Sequence, residues 1–211
     1  MSFTDFDKLK AISIVNIFET GRPFGDYSAL AVLNDGAGIS YGISQFTHRS
    51  GALAAVVAQY LKLGGQIGRP VLEEHLELLR SASSLAIAIG SQNRQLKSVL
   101  RAAAVTSEMR DAQHYIAYRR FLLPAVAACE GSGFTLALSL AVIYDSINHG
   151  SWEMVRDRVQ ISPASRDFEK RWITAYVKAR HDWLRSVPRL RPTAYRTSFF
   201  LAQIIADPSQ T

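Results

Sequence analysis

Cysteine is almost absent from these 211 residues: Cys129 stands alone. A single thiol excludes an internal disulfide and leaves no cluster for a structural zinc, so its place on an apolar stretch makes it core filling. Long hydrophobic runs are missing as well. The longest, Phe134 to Ile143, falls short of the ~20 residues needed to cross a membrane and is interrupted by Thr135 and Ser139, so it reads as a buried helix and no membrane span is expected. Met1 to Lys10 carries Asp5, Asp7, Lys8 and Lys10 and lacks the basic-then-apolar order of a secretory signal. The five histidines, His48, His75, His114, His149 and His181, show no metal-ligand spacing. No metal and no organic cofactor is therefore expected, and His149 reads as a structural residue at a helix end.

Positive charge is in excess, at a formal +6, and it is unevenly spread. Lys170, Arg171, Lys178, Arg180, Arg185, Arg189, Arg191 and Arg196 face only Asp182 across the same stretch. Such a run suits an anionic partner, although a solvated face gives the same pattern. A nucleic-acid partner is not expected, because the chain has no helix-turn-helix signature, aromatic RNA-binding motif or glycine-rich phosphate loop.

The apolar spacing of Ile12, Val15, Ile17 and Phe18 predicts a first helix over 7–20, stopped by Gly21 and Pro23, with Glu19 at its C-terminal end. Two β-prone runs, Leu30 to Leu33 and Ile39 to Ile43, flank Asn34-Asp35-Gly36-Ala37-Gly38 and predict a hairpin. After Ser50-Gly51 the pattern is helical: 52–63, 70–88, 93–104, 108–123, 124–128, 134–148, 152–159, 165–185 and 193–206. The fold class is mainly α (α+β), with one small β-hairpin near the N-terminus. The length suits one domain, 1–211, or one domain built as two lobes.

Glycosidic cleavage needs a carboxylic acid to protonate the leaving oxygen and usually a second carboxylate on the other face of the sugar. Glu19, ending a helix, and Asp35, in the next hairpin, could face each other across a groove, but spacing alone also fits two ordinary surface carboxylates.

The resemblance is more specific. Ile17-Phe18-Glu19, the run Leu33 to Ile43 and Phe46-Thr47 follow the order of the active-site segment of glycoside hydrolase family 46 chitosanases. Met109 to Gln113, with Phe121 and Pro124 to Val126, resembles the family's central helix. Ile143 to Ile147 with His149-Gly150 resembles its Tyr-Asp…His-Gly element, and Ala175 to Arg180 and Tyr195 to Leu201 its last two helices. The resemblance implies a two-lobed lysozyme-like fold, a small lobe over about 20–65 and a larger helical lobe over about 66–211. It further implies that Glu19 is the general acid, Asp35 the general base, and Ser40 the hydroxyl that helps hold the attacking water. Asp145, Arg180 and Arg196 fall on a charge network supporting the acid. Such a mechanism inverts the anomeric carbon, with the two carboxyl groups ~6.5 to 9.5 Å apart.

The departures from the family bear on the substrate. Chitosan is polycationic, and family members place an acidic residue shortly after the Phe-Cys/Thr element; here Ala52 stands at that position, with His48 and Arg49 nearby. A basic rim holding Tyr41, His48 and Arg49 as substrate contacts suits anionic peptidoglycan. The expectation is thus a peptidoglycan muramidase, a phage lysin or an injected antibacterial effector, made in the cytoplasm, delivered to the cell wall and possessing an immunity or inhibitor protein in the effector case. A chitosanase is the alternative, followed by a lytic transglycosylase and a non-enzymatic basic module.

Overall fold

The computed structural model describes residues 3–33, 35–164 and 166–206. Asn34 of the hairpin motif and Ser165, the expected start of a late helix, lie outside the described residues. The described residues are mainly helical, with one small three-stranded sheet, as expected. Helix α1 runs Asp5–Thr20; strands β1 (Leu30–Leu33), β2 (Gly38–Tyr41) and β3 (Phe46–Thr47) follow. Then come α2 (Ala52–Lys62), α3 (Arg69–Arg80), α4 (Ser84–Gln92), α5 (Arg94–Ala103), α6 (Ser107–Ala117), α7 (Leu123–Gly131), α8 (Ala137–His149), α9 (Trp152–Arg156), α10 (Phe168–Ser186) and α11 (Tyr195–Ala206). None of the described helices is long and apolar enough to cross a membrane.

The three strands form an antiparallel sheet in the order β1-β2-β3. Ala31 pairs with Ser40 and Ser40 with Thr47, which puts Ser40 on the central strand. Strand β3 escapes sequence reading because two residues show no alternation.

Several boundaries depart from the expected ones for local reasons. The helix expected over 70–88 is two helices, because the Ser83 side chain accepts from the Ala86 N–H and starts α4 afresh. Asn93 does the same for α5 through the Leu96 N–H, and Thr106 for α6 through the Met109 N–H. The helix expected over 108–123 widens into a π-helical turn at Tyr118–Leu122 before α7. Helix α8 begins three residues later than expected, and its N-cap Leu136 has no capping side chain. Glu169 from α10 supplies that cap: its carboxylate accepts from the N–H groups of Thr135 and Leu136 at 3.0 and 2.8 Å and from the Ser139 hydroxyl at 2.6 Å.

The contacts divide the chain into two compact units, one of residues 16–120 and one of residues 1–15 with 121–211. This partition differs from lobes at 20–65 and 66–211, since α2 to α6 pack among themselves and against the sheet. The first unit is centred on Ile39, Tyr41, Phe46, Leu53, Val57, Tyr60 and Leu100, all buried. In the second, Leu140, Ile143, Tyr144, Ile173, Val177, Leu184 and Phe200 are buried beside Trp172 and Tyr176, whose rings stack at 5.3 Å. Cys129 is fully buried there, and burial pushes its thiol up to about 12.

Candidate active site

Within the unit of residues 16–120, the last turn of α1 closes through the Gly21 N–H to the Ile17 carbonyl at 2.9 Å. Gly21 takes a positive φ of 72°, the usual way for a helix to stop. Asn16, buried on the same turn, donates from its side chain to the Pro23 carbonyl at 3.1 Å and fixes the direction in which the chain leaves. Glu19 is half-buried at this helix end.

Asp35 is exposed in the β1–β2 turn. Its Oδ1 accepts from the Ala37 N–H at 2.9 Å, a local bond that short acidic side chains make in turns. Gly36 has a φ of 77°, and its carbonyl accepts from Arg49 Nε at 2.6 Å. The Arg49 N–H in turn donates to the Ala37 carbonyl at 3.0 Å. Arg49 therefore holds the turn that carries Asp35 from the far end of β3.

The open end of the hairpin is held by Gln113 of α6, which is fully buried. Its Oε1 accepts from the Ile43 N–H at 3.0 Å, and its Nε2 donates to the Tyr27 carbonyl at 2.9 Å. Ser40 lies between these two anchors on β2 and is 6% exposed. Sequence reading placed Gln113 only in a helix. Nothing in its spacing signals that its amide closes a sheet.

Two expected substrate contacts need correction. Tyr41 is fully buried, and its hydroxyl donates to the Leu100 carbonyl at 2.6 Å. Burial raises its pKa well above the ordinary tyrosine value. His48 is 1% exposed, and its Nε2 donates to the Leu78 carbonyl at 2.9 Å. Gly38 and Gly90 leave the room its ring occupies. Both side chains are structural because the sheet's inner face turns them into α3, α4 and α5. Arg49, by contrast, is exposed. Ala52 is 2% exposed at the start of α2 and presents no polar group.

The other unit gathers the remaining site residues. Asp145 of α8 and Arg180 of α10 have no solvent exposure, and Arg196 of α11 is 4% exposed. Arg180 meets Asp145 Oδ2 at 2.5 Å and donates from Nε to the Ser151 hydroxyl at 2.9 Å, while Arg196 meets Asp145 Oδ1 at 2.7 Å. Burial works against the Asp145 charge, but the two guanidiniums outweigh it and hold the carboxyl below its ordinary range. His149, at the end of α8, is pushed down to about 4, first by burial and then by Arg196 and Arg180. Two of the eight cations in the basic stretch are thus internal. Lys170, Arg171 and Lys178 line a shallow groove with Ile161, Thr174 and Ala175. Among the described residues no group of His, Cys, Asp and Glu is arranged to hold a metal ion.

Residues 13–199 match the model of glycosyl hydrolase family 46. A chitosanase of Bacillus subtilis (strain 168) is 26% identical over 186 residues, 83% of this chain and 66% of that protein. The chain therefore spans just under two thirds of this curated relative. Among solved structures, a mutant chitosanase from Bacillus subtilis MY002 complexed with 6 GlcN superposes with a TM-score of 0.83 at 22% identity, covering 99% of this chain and 92% of that one. A family 46 chitosanase of Gynuella sunshinyii in complex with chitotetraose gives a TM-score of 0.82 at 24% identity, covering 99% and 91%. At these identities the two structures bear on the fold.

Proposed function

The chain belongs to glycosyl hydrolase family 46, a family of glycosidases, and from that premise we propose that it hydrolyses β-1,4 bonds of an amino-sugar polymer, chitosan. The observation that carries this reading is the family match over 13–199, which contains Glu19, Asp35 and Ser40. The named relatives are chitosanases, and they favour chitosan over the peptidoglycan expected from the basic stretch. The charge argument for peptidoglycan also loses weight, because Arg180 and Arg196 are buried against Asp145 and His48 is buried at the sheet.

In this reading Glu19 gives its proton to the glycosidic oxygen as the bond to the anomeric carbon breaks. A water on the opposite face attacks that carbon and passes its proton to Asp35. Asp35 Oδ1 is taken by the Ala37 N–H, so Oδ2 is the oxygen we assign to the water. Ser40 is assigned the second hold on that water. The Asp145–Arg180–Arg196 cluster keeps the supporting role for the acid that the family pattern gives it.

The test is incubation with chitosan and with purified sacculi side by side, followed by mass analysis of the products. New reducing ends from chitosan and none from sacculi are expected; the reverse result would restore the muramidase reading, and anhydro-sugar ends would identify a transglycosylase.

A further inference from the structure

We propose that Arg49 selects the sugar unit accepted beside Asp35, favouring a neutral N-acetylated unit over a glucosaminium; this rests on the chitosan reading above. Arg49 and Asp35 are bound to the same three-residue turn. The Arg49 side chain reaches the Gly36 carbonyl at 2.6 Å, its N–H reaches the Ala37 carbonyl at 3.0 Å, and the Asp35 carboxylate accepts from the Ala37 N–H at 2.9 Å. Both charged residues are exposed.

The carbon attacked by the Asp35 water is C1 of a sugar, and the amino group of that same sugar sits on the adjacent carbon, C2. Whatever C2 carries is therefore held close to the Asp35 turn and to the guanidinium fastened on it. A free amine there is an ammonium and meets the Arg49 charge within a Debye length, where screening is incomplete. An N-acetyl amide carries no charge and avoids the repulsion. Nothing at Ala52 offsets it, since that residue is buried and apolar. Attraction by Asp35 acts on the ammonium too, but it is common to the native protein and to every Arg49 variant.

The experiment compares the native protein with Arg49→Lys, Arg49→Gln and Arg49→Glu on fully deacetylated and half-acetylated chitosan. It reads the ratio of initial rates on the two polymers and the acetylation of the new reducing ends, which come from the unit that was attacked. The native ratio favours the acetylated polymer, with new reducing ends enriched in N-acetylglucosamine. Arg49→Gln and, further, Arg49→Glu move the ratio toward the deacetylated polymer by about three- to tenfold. Arg49→Lys keeps the native ratio even where both rates fall, which separates charge from support of the turn. An Arg49→Glu ratio equal to the native one overturns the inference, as does an Arg49→Lys shift equal to that of Arg49→Gln. If the native protein leaves both polymers uncut, the chitosan reading itself fails and takes the inference with it.

Discussion

Gln113 occupies the space into which a side chain at Gly42 would project: a Cβ built on Gly42 runs into the Gln113 amide. The same amide ties Tyr27 to Ile43, so one buried side chain and one missing side chain together fix the hairpin that presents Asp35 and Ser40.

Changing either partner should loosen this closure. Gln113→Ala leaves the Ile43 N–H and the Tyr27 carbonyl without their partner and should cost about 2 to 4 kcal/mol. Gly42→Ala should cost at least as much, because the residue has a φ of 74° and its new methyl meets the amide. Urea denaturation gives both values; a loss below about 0.5 kcal/mol in each would show that the clamp contributes little.

Asp145 pairs with both Arg180 and Arg196 through its two carboxylate oxygens. Asp145→Asn preserves shape but strips both guanidiniums of this counter-charge, and should destabilise by about 3 to 5 kcal/mol. Replacing an exposed partner such as Asp5, paired with Lys8 at 3.4 Å, should change stability by less than about 1 kcal/mol. Equal effects in the two denaturation curves would argue that the buried cluster is energetically ordinary.

Stability should fall with pH in two separate windows. An unfolded histidine takes its proton near pH 6.5, whereas His149 in the native protein resists until about 4. The native state thus binds fewer protons between these values, and stability drops as the pH falls through them, by roughly 3 kcal/mol in all. Below about 4 His149 contributes no further slope. Asp145, held below its ordinary range, then adds its own loss as it becomes protonated at still lower pH. His149→Gln should flatten the curve between pH 6.5 and 4 and leave the lower limb in place; parallel curves for the variant and the native protein would rule out this assignment.

The proposed acid and base make a stereochemical prediction. Proton NMR of chitosan oligomers during early turnover should show the α-anomer appearing first, because a single attack by water inverts the β-linkage. Glu19→Gln should lower kcat by between about a hundredfold and ten-thousandfold with little change in the unfolding midpoint. First appearance of the β-anomer would instead make Asp35 a nucleophile.

The helices and the hairpin were legible because their signals are local. Proline and glycine punctuation, apolar spacing and the turn around Asp35 need no distant contact to be read. The order of Glu19, Asp35, Ser40, Asp145, Arg180 and Arg196 was legible as a pattern too. Local chemistry could also have revealed the break before α4, since Ser83 is a capping residue in plain view.

Burial belongs to the other category. Nothing in residue type distinguishes exposed Arg49 from buried His48, its neighbour, and Tyr41, expected among the substrate contacts, is buried with its hydroxyl on the Leu100 carbonyl. The cap that Glu169 provides for α8 spans more than thirty positions, and Gln113 closes strands 70 residues before it. Sequence alone determined the element types and which carboxylates and cations are available, since those follow from the backbone preferences and chemistry of each residue. Which of those polar groups are inside and which meet solvent was decided only by tertiary packing, since desolvation and hydrogen-bond pairing depend on segments far away along the chain.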